Sequence, residues 1–161
     1  MDVNFGDPVT PAPQFVSLPA LRPDAPTIRV LGYPIETVLA EKLATAIDLG
    51  PANTRVRDYA DIYRLTATHD LEHGAVRAAL IETARFRGAT IQPLSAAIGD
   101  LVEMRNRAYV AHRTSLGSYG VHLPERFADL VDRVVSFADP LANEVPDSVH
   151  WLTSEGRWAP L

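Results

Sequence analysis

Residues 32–50 read GYPIETVLAEKLATAIDLG, and residues 53–65 read NTRVRDYADIYRL. Pro34 suits the first turn of a helix, and Glu36 sits where the helix dipole favours negative charge. The periodicity predicts a helix from about Pro34 to Ile47, ending near Gly50-Pro51. On a helical wheel Ile35, Val38, Leu39, Leu43, Ala46 and Ile47 form one apolar arc, and Lys42 falls on that stripe. A lysine there must snorkel to the edge, pair with a carboxylate, or meet an anionic ligand such as a phosphate. The chain holds fourteen arginines and this one lysine. In a sequence that otherwise takes arginine for positive charge, that choice suggests a place needing a compact ammonium.

The second stretch predicts a helix capped by Asn53 or Thr54 and running to about Thr68. Asp58 and Asp61 lie three residues apart, so they neighbour each other on one face. Paired carboxylates repel unless a metal, a lysine or an arginine lies between them. Arg55, Arg57 and Arg64 offer that neutralisation, as ordinary helix salt bridges.

Working outward, Asp2 to Phe5 alternate polar and apolar, as in a strand or its end. Residues 6–27 carry Pro8, Pro11, Pro13, Pro19, Pro23 and Pro26, which predicts an extended connection with a short strand at Phe15, Val16 and Leu18. Ile28, Val30 and Leu31 predict a second strand closed by Gly32. Further helices are expected from Ala75 to Phe86 with a stop at Gly88, from Leu94 to His112, and from Pro124 to Ala138. Ser115–Gly120 reads as a loop. The tail from Pro140 reads as loop packed back through Trp151 and Trp158. Few strands followed by an uninterrupted series of helices give an α+β, mostly α, architecture.

The composition, 47% hydrophobic and 22% charged, suits a folded globular chain. No run of 18 apolar residues occurs and the first residues lack the pattern of a signal peptide, so a cytoplasmic protein is expected. With no cysteine there is no disulfide, thiolate metal site or cysteine nucleophile. The net charge of −5 gives no global attraction to nucleic acid, which leaves a local arginine face as the only electrostatic route to it.

DVNFGDPVTP, GYPIETVLAEKLATAIDLG and NTRVRDYADIYRL together resemble the AbiEii/AbiGii-type nucleotidyltransferases, which include MenT-like toxins. The resemblance rests on an Ala-Glu-Lys-Leu helix followed by an Arg-x-Arg-Asp-x-x-Asp helix. It implies a partial polymerase-β-like nucleotidyltransferase fold, the last strands of a small sheet with a C-terminal helical lobe. Residues 1–68 would form the nucleotidyltransferase part and residues 69–161 the helical lobe with its tryptophan-containing tail. It further implies a toxin of a toxin–antitoxin system that transfers nucleotides from a nucleoside triphosphate to RNA, at the 3′ end of transfer RNA, with Mg2+ as cofactor and a cognate antitoxin. Lys42 would match the triphosphate-contacting lysine and Asp58 the acid that orients the site, with Asp61 beside it. Asp2 would match a metal-facing carboxylate, and Arg55 and Arg57 would contact substrate or RNA. The family's opening signature, a Gly-Ser helix start followed by an Asp-x-Asp strand, does not occur in the sequence. A start placed too late, a split gene whose other half supplies that motif, and an inactive remnant that binds only an antitoxin are the three explanations.

A rival pattern lies downstream. Arg105-Asn106 and His112 resemble the arginine–histidine signature of HEPN ribonucleases, in which such residues cleave RNA. His69 and His73, around Asp70 and Glu72, read as solvated histidines in a loop between helices.

Overall fold

A computed structural model describes residues 8–20, 22, 24–144 and 148–160. The strand expected at Asp2–Phe5 lies outside the described residues. Strand β1 (Gln14–Leu18) pairs antiparallel with β2 (Ile28–Gly32), Phe15 opposite Leu31 and Val16 opposite Val30. Both short strands stand where the β-branched and aromatic residues placed them. Just upstream, the Thr37 hydroxyl donates to the Thr10 carbonyl and accepts from the Thr10 amide, fastening this segment to the start of helix α1 (Ile35–Leu49).

Leu39, Leu43, Ala46 and Ile47 of α1 are buried, so the apolar arc of the wheel is the face that packs. The helix stops at Gly50, whose φ of 50° admits only glycine without strain. A Cβ there would lie 2.7 Å from the carbonyl oxygen of Ala97, so the missing side chain also lets two backbones approach. After a single 3-10 turn, Gly50–Ala52, helix α2 (Val56–Thr68) packs against α1. Its start is tied by Asn53, whose side-chain oxygen accepts from the Arg55 amide at 2.8 Å.

Next come β3 (Leu71–Glu72) and helix α3 (His73–Arg87), which packs lengthwise on α1 and ends at Gly88 in the left-handed conformation. His73 is a correction. It opens α3 buried, 2% exposed, with Nε2 3.1 Å from the Pro140 carbonyl and its ring edge-on to Trp158. His69 is exposed, as a solvated histidine should be.

The helix expected over Leu94–His112 is two helices, α4 (Leu94–Ile98) and α5 (Leu101–Ser115). Gly99, with φ of 48°, breaks it, and the change of direction buries both Ile98 and Leu101. The loop at 115–120 is largely a 3-10 turn, Gly117–His122. Helix α6 (Phe127–Ala138) begins three residues after Pro124. The carbonyls of Leu123 and Pro124 are taken by Arg113 Nε and the Tyr109 hydroxyl of α5, which holds this stretch extended.

The tail is no loop. Strands β4 (Val149–Leu152) and β5 (Arg157–Pro160) form a hairpin, and β4 also pairs with β3, Leu71 opposite Trp151. Trp151 is fully buried and its indole N–H donates to the Thr66 carbonyl at 2.8 Å; Trp158 donates to the Phe137 carbonyl. Both tryptophans thus anchor the tail to the helices at Phe137, Trp158 stacked on its ring and Trp151 edge-on to it. One core joins Leu39 and Leu43 of α1, Tyr59 and Ile62 of α2, Leu80 of α3, Phe127 and Leu130 of α6 and Trp151 of the tail. Among the described residues the fold is α+β and mostly helical, with two small antiparallel sheets. No helix among the described residues is long and apolar enough to cross a membrane.

A candidate anion site between two helices

Lys42 leaves α1 at the edge of its packed face, and its side chain keeps 21% of its surface exposed. Its Nζ lies 2.8 Å from Asp58 Oδ1 and 2.8 Å from Asp61 Oδ2, so both acids of α2 close on one nitrogen. The two carboxylates can share it because they stand one turn apart on the α2 face that meets α1. Burial opposes the charge on Lys42, but the hydrogen bonds to Asp58 and Asp61 and their negative charge outweigh it. The ammonium pKa therefore rises above its ordinary 10.5, and Lys42 is a fixed cation throughout the physiological range.

The other cations of the stretch behave differently. Arg55 is exposed and stands 4.0 Å from Asp58 Oδ2. Arg57 is exposed and makes no ion pair or side-chain hydrogen bond among the described residues. The acids are thus neutralised across the helix pair by the lysine, while the arginines flank the acids and stay open to solvent.

Two clefts meet at this cluster. One, of about 290 Å³, is walled by Lys42, Thr45, Arg55, Asp58 and Arg87. The other, of about 530 Å³, is walled by Thr54, Arg55, Arg57, Asp58 and Asp61. Arg87 is the residue that the reading of the sequence missed. It ends α3, where its Nη1 donates to Thr45 Oγ1 at 2.7 Å and reaches the Glu41 carbonyl. Only the packing of α3 on α1 brings it there, and its place in an Arg-Phe-Arg run gives no local signal.

The start of α2, and with it Asp58, is held from behind by α5. Arg105 Nε donates to the Asn53 carbonyl at 2.9 Å and Nη2 to the Ala52 carbonyl at 3.3 Å. The arginine of the ribonuclease-like pattern is therefore occupied as a clamp on the turn between α1 and α2. His112, two turns along, has its pKa lowered by burial and by the charges of Arg57 and Arg64, against an opposing pull from Asp61.

The carboxylates at hand do not suit a magnesium ion. Among the described residues no three of His, Asp and Glu converge on a point, and the two acids that do converge already surround an ammonium, which would repel a cation. Asp2, the residue matched to a metal, lies outside the described residues. The arrangement among the described residues is a set of cations, braced by acids and by backbone, facing two open clefts. Such a wall can receive phosphates.

The family model described as "Nucleotidyl transferase AbiEii toxin, Type IV TA system" matches residues 1–137. No curated protein and no solved structure matches the chain.

Proposed function

This chain belongs to the AbiEii nucleotidyl transferase toxin family of type IV toxin–antitoxin systems, and on that premise we propose that Lys42, Asp58 and Asp61 form one wall of a site for nucleotide transfer. The substrate is a nucleoside triphosphate and the acceptor is the 3′ hydroxyl of an RNA, a transfer RNA in the first instance. One observation carries the reading. An ammonium held 2.8 Å from two carboxylates stands where two arginine-lined clefts meet, the smaller of them with an excess of positive charge.

In the transfer, the RNA hydroxyl gives up its proton to solvent as its oxygen bonds to the α-phosphorus, and the bond from that phosphorus to the oxygen bridging to the β-phosphate breaks, releasing diphosphate. Charge builds on the phosphate oxygens as that happens, and positive groups fixed in advance stabilise it without reorganising. Lys42 is such a group. Asp58 and Asp61 hold its nitrogen in place, and Arg105 holds the turn from which α2 starts. Arg55 and Arg57 add guanidinium donors suited to bidentate contact with phosphate. Magnesium, which the family resemblance implies, is left to Asp2 and to the Asp-x-Asp carboxylates that the sequence does not contain; none of the roles above passes through it. The family also implies a cognate antitoxin as partner.

Labelled nucleoside triphosphates and transfer RNA, incubated with the chain together with a polypeptide bearing the family's Gly-Ser and Asp-x-Asp segment, test the proposal. The expected result is RNA labelling that requires both polypeptides and is lost in Lys42→Ala. Labelling by the chain alone, or labelling that survives both Lys42→Ala and Asp58→Asn, overturns it. A ribonuclease reading finds no support in the geometry, because Arg105 is committed to backbone carbonyls.

A further inference from the structure

The two clefts share a partition, formed by Arg55 and Asp58, and differ in everything else. The smaller one has three cations, Lys42, Arg55 and Arg87, against the carboxylates of Asp58 and Glu41. The larger one has Arg55 and Arg57 balanced by Asp58 and Asp61. A compact polyanion gains most where positive charge exceeds negative, whereas a polymer backbone needs room and spaced cations. The guanidinium of Arg87 is also set in place by Thr45 and the Glu41 carbonyl, both through Nη1. That anchoring aims the rest of the fork without consuming it.

Resting on the function proposed above, we propose that the two substrates are sorted between these clefts. The terminal phosphates of the nucleoside triphosphate enter the Lys42–Arg87 cleft, with Arg87 as a phosphate-binding residue. The RNA backbone enters the Arg57 cleft, and the two meet at Asp58. The division explains why the cluster carries arginines on both sides of a single lysine. It also gives Arg87, which no motif marks, a direct part in choosing a polyphosphate over a single phosphate, since Lys42 and Arg87 line the same cleft from different helices and a chain of phosphates can meet both.

Two binding measurements on the whole chain separate the clefts. A fluorescent nucleoside triphosphate with magnesium reports one, inorganic tripolyphosphate serving as its competitor, and a fluorescein-labelled transfer RNA reports the other. Arg87→Ala and Arg87→Gln are expected to weaken triphosphate binding by about tenfold and to leave RNA binding within about twofold. Arg57→Ala is expected to do the reverse. Thermal melts of each variant confirm that the fold is intact, and Gln, which keeps amide donors for Thr45, covers the case in which Ala loosens the end of α3. If the unaltered chain binds neither ligand, the function proposed above fails. If it binds both, and the Arg87 variants weaken neither or both equally, the sorting fails while the function stands.

Discussion

Asp58 and Asp61, three residues apart on α2, hold the same nitrogen, the Nζ of Lys42, each at 2.8 Å. The lone lysine of the chain is the counter-ion of an acid pair, and that pair is what keeps an ammonium at the edge of an apolar helix face. Removing it leaves two carboxylates side by side.

Lys42→Ala is therefore expected to cost about 1–3 kcal/mol at neutral pH, less than a fully buried pair would because the Asp61 side chain is 47% exposed. Adding Asp58→Asn should recover part of that loss by removing one of the two repelling charges. The Lys42 pKa is raised in the fold, so its contribution is complete below pH 10.5 and fades only as pH climbs through the raised value. Denaturant unfolding of the three proteins from pH 7 to pH 11 checks both statements.

Gly50→Ala should destabilise the chain by about 2 kcal/mol or more, since the new methyl meets a carbonyl oxygen at 2.7 Å and the backbone has φ of 50°. Gly88→Ala, at another left-handed position but with nothing within 4 Å of its Cβ, should cost less. Thermal melts of the two variants compare the clash with the strain alone.

His73 titrates against its surroundings. Burial lowers its pKa, with Arg77 acting in the same direction and the Pro140 carbonyl opposing. Its proton is bound more readily in the unfolded chain, so stability is complete above pH 6.5 and declines as pH falls toward the lowered value. His73→Gln, which keeps a donor toward Pro140, should flatten the histidine part of that decline. Unfolding midpoints at pH 7.5 and 5.5 give the comparison.

Trp151→Ala should cost about 3–5 kcal/mol, because it empties a fully buried indole site and orphans the Thr66 carbonyl. If the tail were a loop lying on the surface, the loss would be far smaller. Equilibrium unfolding followed by circular dichroism, which does not depend on the tryptophan, settles the size.

The parts of the fold legible in the sequence are those whose cause is local. The periodic stripe that places Lys42 among leucines, the three-residue spacing of Asp58 and Asp61, and the β-branched run at Ile28–Leu31 each declare themselves within a dozen residues. What escaped depends on partners far away in the chain. Gly99 breaks a helix that periodicity alone would continue, in a place where α4 lies against Gly50. Strand β4 exists because Trp151 pairs with Leu71, eighty residues earlier. His73 is buried because Pro140 and Trp158 fold over it. Arg87 reaches the cluster only through the packing of α3 on α1, so no reading of residues 32–65 could have included it.

Because Lys42 is the only lysine, its side-chain 15Nζ and 13Cε signals in a lysine-labelled sample report one site without overlap. Titration with a nucleoside triphosphate and magnesium is predicted to move those signals saturably, and nucleoside monophosphate to move them far less. Signals that stay fixed while the protein remains folded at millimolar triphosphate would contradict the assignment of this ammonium to a phosphate site.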